Sequence, residues 1–133
     1  MTIGSVTRQE QVTVDGRLDD GQTAVELDLG DLVSGGFEAD VDAIARRVIE
    51  QAGFGDNFGH SLGHGTGLCI HEAPRLSPHS EDTLAAGMIV TVEPGIYLPA
   101  WVGVRLENQV VITPNGATVL NSLDLDDHHL AFA

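Results

Sequence analysis

The hydrophobic pattern of this chain changes character twice, and each change predicts a different kind of element. Between residues 40 and 52 the apolar positions Val41, Ile44, Ala45, Val48, Ile49 and Ala52 recur three and four residues apart, the spacing that lines one face of an α-helix. Asp40 is placed to cap its start and Gly53 to end it. After that the helical period stops. Six glycines fall between residues 53 and 67, so this stretch reads as loop or irregular strand. A period of two then takes over. Residues 88–93 form a short predicted strand, residues 103–113 a longer one, and Pro114-Asn115-Gly116 turns the chain into a last strand over residues 117–120. Along the longer strand Arg105 and Glu107 share one face while Val104 and Leu106 take the other; along the shorter, Glu93 shares its face with Thr91 and Ile89.

The ends are less patterned. Residues 1–22 are polar, with turn signals at Asp15-Gly16 and Asp20-Gly21, and either form a hairpin or stay loose. Residues 124–133, with Asp126, Asp127, His128 and His129, read as an acidic, frayed tail. No internal repeat is visible. At 133 residues and 42% hydrophobic composition, the chain is long enough for one domain with a buried core that needs no disulfide or structural metal.

Charge and cysteine usage narrow the partners. Twenty acidic against six basic residues give a formal charge of -14, which repels nucleic acid and anionic membranes. The start of the chain lacks the basic-then-apolar pattern of a secretory signal, and no run of about 18 apolar residues marks a membrane span. A single cysteine, Cys69, leaves no intrachain disulfide and fits a reducing compartment, so the cytoplasm is the expected location. Its side chain is expected to be a small core residue.

The chemistry concentrates in the segment GHSLGHGTGLCIHE, residues 59–72, where His60, His64 and His71 stand among glycines. Two carboxylates follow in strand-like settings, Glu93 in VTVEPGIY and Glu107 in GVRLEN. A carboxylate on a half-buried strand needs a partner, because an unpaired buried charge costs several kcal/mol. Two readings are open: ion pairing of the glutamates with Arg75 or Arg105, or a metal ion shared with the histidines. Imidazole with carboxylates is a donor set that Mn, Co or Zn accepts. Other chemistries fit less well. The helical zinc-protease motif needs a second histidine four residues after His71, where Arg75 stands; Ser61 is not in a Gly-x-Ser-x-Gly turn; and the glycine-rich stretch lacks the lysine of a phosphate loop. Trp101 is either a core residue or the wall of a pocket.

Taken together, GHSLGHGTGLCIHEAPRLSP and LAAGMIVTVEPGIYLPAWVGVRLENQVVIT, preceded by VDAIARRVIEQAGFGDNFGH, resemble the carboxy-terminal half of the pita-bread metallopeptidases, in particular the proline-specific branch of aminopeptidase P and prolidase. The resemblance covers residues 35–123 and leaves residues 1–34 as an N-terminal segment without assignment. It implies an α+β pita-bread fold cut to about half, with a curved antiparallel sheet and one packed amphipathic helix. It also implies His64, Glu93 and Glu107 as metal ligands, with Glu107 bridging two ions, His60 and His71 beside the substrate, and Arg105 near it. The cofactor implied is a divalent metal, manganese first, with cobalt or zinc possible, as two ions in a complete site. The reaction implied is hydrolysis of the bond before proline, in a peptide with proline in second position, by a metal-activated water.

The resemblance is incomplete in one respect. The family's first half supplies two aspartate ligands, and most of that half has no counterpart here. Asp28 and Asp40 in LDLGDLVSGGFEAD are superficial candidates, but their spacing is one residue too long and an acidic loop and a helix cap describe them better. Asn108 stands where the family has aspartate. Two alternatives to the active peptidase follow: a catalytically incompetent fragment or peptide-binding module, and a site completed by a second chain. A half domain leaves an apolar sheet face and an open edge uncovered, so a homo-oligomer is expected.

Overall fold

The computed structural model describes residues 11–18, 21–28, 35–100 and 102–121. Helix α1 spans Glu38–Gln51, and it begins before the expected cap: Phe37 is the N-cap residue and no side chain caps the end. One orphan donor is met by a tertiary bond instead. Glu38 N–H donates to Asp82 O at 3.2 Å, while Gly35 N–H donates to Leu84 O and Leu84 N–H to Gly36 O, lacing the turn before the helix onto the segment at 82–84. Asp40 is therefore displaced into the first turn, exposed, where its charge faces the positive end of the helix dipole. Gly53 ends the helix as expected: it adopts φ +87° and its N–H reaches Glu50 O.

The helix buries Val41, Ala45 and Ile49 against a five-stranded antiparallel sheet. In sequence its strands are β3 (Gly63–Gly65), β4 (Glu72–Leu76), β5 (Ile89–Val92), β8 (Asn108–Thr113) and β9 (Gly116–Val119), in spatial order β4-β3-β5-β8-β9. Val90, Val92, Val110 and Ile112 point to the helix and join Phe58, Leu62, Leu76 and Leu84 in one core. Alternation turns Thr91 to the opposite face. The histidine segment is irregular, as its glycines predict: His64 lies on β3, where the pairing with β4 shifts register between His64 and Gly65.

The expected strand over residues 103–113 is two strands. β6 (Gly95–Leu98) and β7 (Val102–Arg105) pair with each other as a separate ribbon, while β8 pairs with β5 in the main sheet. The expected strand at 88–93 is trimmed to Ile89–Val92. Pro94 explains the break, since it has no N–H to continue a ladder. The chain leaves the main sheet after Val92 and returns opposite it, at Asn108; Gly95 and Arg105 are paired across the ribbon. Glu93-Pro94 and Leu106-Glu107 thus form the two sides of one seam, bridged by Leu106 N–H to Pro94 O at 3.3 Å.

Pro114-Asn115 turns β8 into β9 as expected, with Thr113 opposite Gly116. The N-terminal region forms a hairpin of β1 (Gln11–Leu18) and β2 (Gly21–Asp28), with Leu18 opposite Gly21; Asp15-Gly16 lies within β1 rather than at a turn. Trp101 and the tail at 124–133 lie outside the described residues. Among those described, no helix is long and apolar enough to cross a membrane.

Three substitutions test this packing by urea denaturation. A Cβ at Gly63 would lie 1.9 Å from the carbonyl oxygen of Thr91 on the neighbouring strand, so Gly63→Ala is expected to destabilise by about 3 kcal/mol or more; Gly59→Ala, which meets nothing within 4 Å, is expected to change stability by less than about 0.5 kcal/mol. Ile49→Ala, at a fully buried position, is expected to cost about 2–5 kcal/mol. Equal midpoints for Gly63→Ala and Gly59→Ala would contradict the strand placement.

Candidate metal centre

His64 and Glu93 meet at the seam. Glu93 N–H donates to Leu62 O at 2.8 Å, which sets the histidine segment beside the end of β5. His64 Nε2 then lies 3.1 Å from Glu93 Oε1. Thr91 ties the two together: it accepts from His64 N–H at 3.0 Å and donates to the same glutamate oxygen at 2.9 Å. On the other side of the ring, Nδ1 is 3.0 Å from Gly65 O. A carbonyl only accepts, so Nδ1 carries a proton, and a neutral ring presents a lone pair at Nε2. The facing carboxylate oxygen also offers lone pairs. Two acceptors at this distance are satisfied by a cation between them, a proton or a metal ion, and in this respect the donor pair fits a divalent metal.

Arg105 joins the second carboxylate to the first. Its Nε is 3.7 Å from Glu93 Oε2 and its Nη2 is 3.9 Å from Glu107 Oε2. Of the two arginines considered as partners for Glu93, Arg105 is the one in place; Arg75 is exposed, and its backbone N–H donates to Glu38 Oε2 at 3.3 Å. The Arg105 side chain is 51% exposed, so solvent screens these pairs to roughly 0–1 kcal/mol each.

The other two histidines flank this pair differently. His71 is exposed and its ring lies against that of His64, centroids 4.3 Å apart. His60 packs edge-on against Phe58 and Tyr97, with Nε2 3.2 Å from the Tyr97 hydroxyl. Tyr97 is a residue that the sequence reading missed. A signal was present: Tyr97 is paired with Gly103 and lies two residues after Gly95, and a Cβ at either glycine would lie within 3.0 Å of the tyrosine ring. The glycines make room for the ring. Asp42 and Arg46 were also missed, although they are an i, i+4 pair beside the apolar stripe of α1.

The full ligand set is not gathered in one place. Among the described residues no group of three or more His, Cys, Asp or Glu side chains is arranged to hold a metal ion. Glu107 reaches Glu93 through Arg105. Asp40 is exposed on α1, and Asp28 ends β2 opposite Gln11. Asn108 is buried and accepts a hydrogen bond from the Asn121 amide. Cys69 is exposed rather than in the core: it sits at the tip of a loop closed by Gly67 N–H to Cys69 O and Cys69 N–H to Glu72 Oε2, with Leu68 and Ile70 exposed on either side.

Comparison with known proteins extends these observations. Residues 35–114 match the model of metallopeptidase family M24. The chain is 53% identical over 85 residues to the Xaa-Pro dipeptidase of Pyrococcus furiosus, a stretch that makes up 64% of this chain and 24% of that protein. The structure of the prolidase from Pyrococcus furiosus superposes with a TM-score of 0.70 at 48% identity, over 72% of this chain and 28% of that one. Dipeptidase PepE from Mycobacterium ulcerans superposes with a TM-score of 0.67 at 33% identity, over 86% of this chain and 38% of that one. The chain spans about a quarter of the length of the curated relatives it matches. Its fold is the α+β pita-bread fold, represented in part by an antiparallel sheet and one helix. Because the matched segment runs from the turn before α1 through the end of β8 and so includes every strand of the seam, the chain belongs to metallopeptidase family M24.

Proposed function

We propose that this chain carries the histidine and glutamate side of the site of an Xaa-Pro peptidase, of aminopeptidase or dipeptidase type, that hydrolyses the bond before proline. The observation that carries this reading is the 3.1 Å approach of His64 Nε2 to Glu93 Oε1 with the far side of the ring committed to Gly65 O. Metal ligands in this reading are His64, Glu93 and Glu107. Manganese is the proposed ion, with cobalt or zinc as alternatives that the same donors accept. Bound divalent ions supply water activation and polarisation of the scissile carbonyl.

The chain's own residues have separate roles in this reading. Thr91 and Gly65 orient the carboxylate and the imidazole. Arg105 neutralises Glu93 and Glu107, and its half-exposed guanidinium has N–H donors free to meet a substrate carbonyl or carboxylate. His60 and His71 face the substrate in this reading: the exposed His71 is placed to aim a hydrogen-bond donor at a developing oxyanion, a contribution of about 10²–10³ in rate, while His60 Nε2 is an acceptor turned to the Tyr97 hydroxyl. The relatives' names support a peptide with proline in second position as the substrate. A cytoplasmic location and a homo-oligomer are part of the same proposal.

A second reading has its own support. The scattered donor set, together with Asp40 on an exposed helix turn, favours a catalytically incompetent fragment or peptide-binding module lacking the two aspartate ligands. Titration with Mn²⁺, followed by an Xaa-Pro dipeptide cleavage assay on the same sample, separates the two. Metal binding with turnover, both weakened more than about tenfold in His64→Ala and Glu93→Gln, is expected of the peptidase. Binding without turnover supports the second reading, and the absence of both overturns the metal site itself.

A further inference from the structure

We propose that Asp42 and Arg46 are positioning residues that fix the tautomer of His60, holding its proton on Nδ1 and presenting Nε2 as a lone pair toward Tyr97. The catalytic meaning of this rests on the peptidase reading, whereas the tautomer is a property of the metal-free chain. Arg46 grips Asp42 with two nitrogens, at 2.5 and 3.3 Å. The same guanidinium donates from Nη1 to Phe58 O at 3.0 Å and from Nη2 to His60 O at 2.5 Å, and it lies over the Phe58 ring at 4.5 Å. Asp42 Oδ1 accepts Leu62 N–H at 2.9 Å. Every group of this clamp therefore bears on residues 58–62.

The consequence for the imidazole follows from peptide geometry. In a trans peptide the N–H and the preceding C=O point in opposite directions. Asp42 holds the N–H of the Ser61–Leu62 peptide, so the Ser61 carbonyl is turned away from α1. His60 Nδ1 lies 2.8 Å from that carbonyl oxygen. The oxygen only accepts, so Nδ1 is the donor, and in the neutral ring Nε2 accepts from the Tyr97 hydroxyl at 3.2 Å. The clamp is stiff because Asp42 is fully buried and cannot release both partners without a large desolvation cost. Its helix is held by Val41, Ala45 and Ile49. A helix pair four residues apart thereby decides which nitrogen of a loop histidine carries the proton.

Long-range ¹H–¹⁵N correlation spectra of the full chain, recorded without metal at about pH 8, above the ordinary histidine range, read this directly. Wild-type His60 is expected as the Nδ1–H form. Arg46→Met is expected to lower the ratio of Nδ1–H to Nε2–H about tenfold, the effect of one charge-assisted hydrogen bond, and to remove the His60–Tyr97 ring contact; the exposed His79 should not change. Arg46→Lys, which keeps a donor for His60 O, is expected to restore part of the ratio. Wild-type His60 in the Nε2–H form would overturn the proposal without any variant. A lower melting temperature in Arg46→Met with the tautomer intact would also overturn it, leaving the pair a purely structural role. Loss of metal binding or turnover alone would count against the peptidase reading and not against this one.

Discussion

The missing N–H of Pro94 is the constraint on which the rest of the site depends. Without it β5 stops at Val92, and the chain has to leave the main sheet for the β6–β7 ribbon. Because the return strand is paired opposite, it makes the same crossing at Leu106-Glu107. Glu93 and Glu107 are thus brought to one seam by backbone pairing, before any side-chain attraction is counted. The single bond from Glu93 N–H to Leu62 O then draws the histidine segment to the same place. Glycine is needed on that approach, since a side chain at position 63 would run into the Thr91 carbonyl.

Backbone convergence of carboxylates in a chain with a formal charge of -14 creates an electrostatic problem, and arginine resolves it. All six basic residues are arginines, and two of them work around the site. A guanidinium is a rigid fork that serves several acceptors at once. Arg46 uses this to hold a buried aspartate and two backbone carbonyls, whereas Arg105 spans two glutamates from a half-exposed position at distances of 3.7 and 3.9 Å. The first arrangement is tight. The second is loose and, being half-exposed, is screened by solvent.

Much of this was legible in the chain, for reasons that differ by residue. The helix was readable because Val41, Ala45 and Ile49 repeat at its period, and its end because Gly53 is the residue that adopts the φ of +87° found there. Its start was not, because the cap is made by the backbone of Asp82 rather than by Asp40. Likewise residues 103–113 look continuous as a local pattern, and only pairing with β6 on one side and β5 on the other divides them. The histidines and glutamates stood out by composition. Asp42, Arg46 and Tyr97 did not, since an ion pair on a helix and a tyrosine on a strand are ordinary in isolation and acquire a role only from what they touch. Cys69 misled because an apolar neighbourhood in sequence, Leu68 and Ile70, is exposed in space.

The same contrast separates the orientation of donor groups from their number. His60 and His64 each commit Nδ1 to the carbonyl of the following residue, so in each neutral ring Nε2 is an acceptor in a prepared orientation, toward the Tyr97 hydroxyl in His60 and toward Glu93 in His64. Preparation of this kind removes the cost of ordering the ligand when a metal or substrate binds. It does not raise the number of donors. With His64 and Glu93 in contact, and Glu107 joined through Arg105, the proposed ligands are oriented, but no three such donors are gathered in one place among the described residues. Three ligands in one place are more than this seam gathers, and the chain spans about a quarter of the relatives it matches.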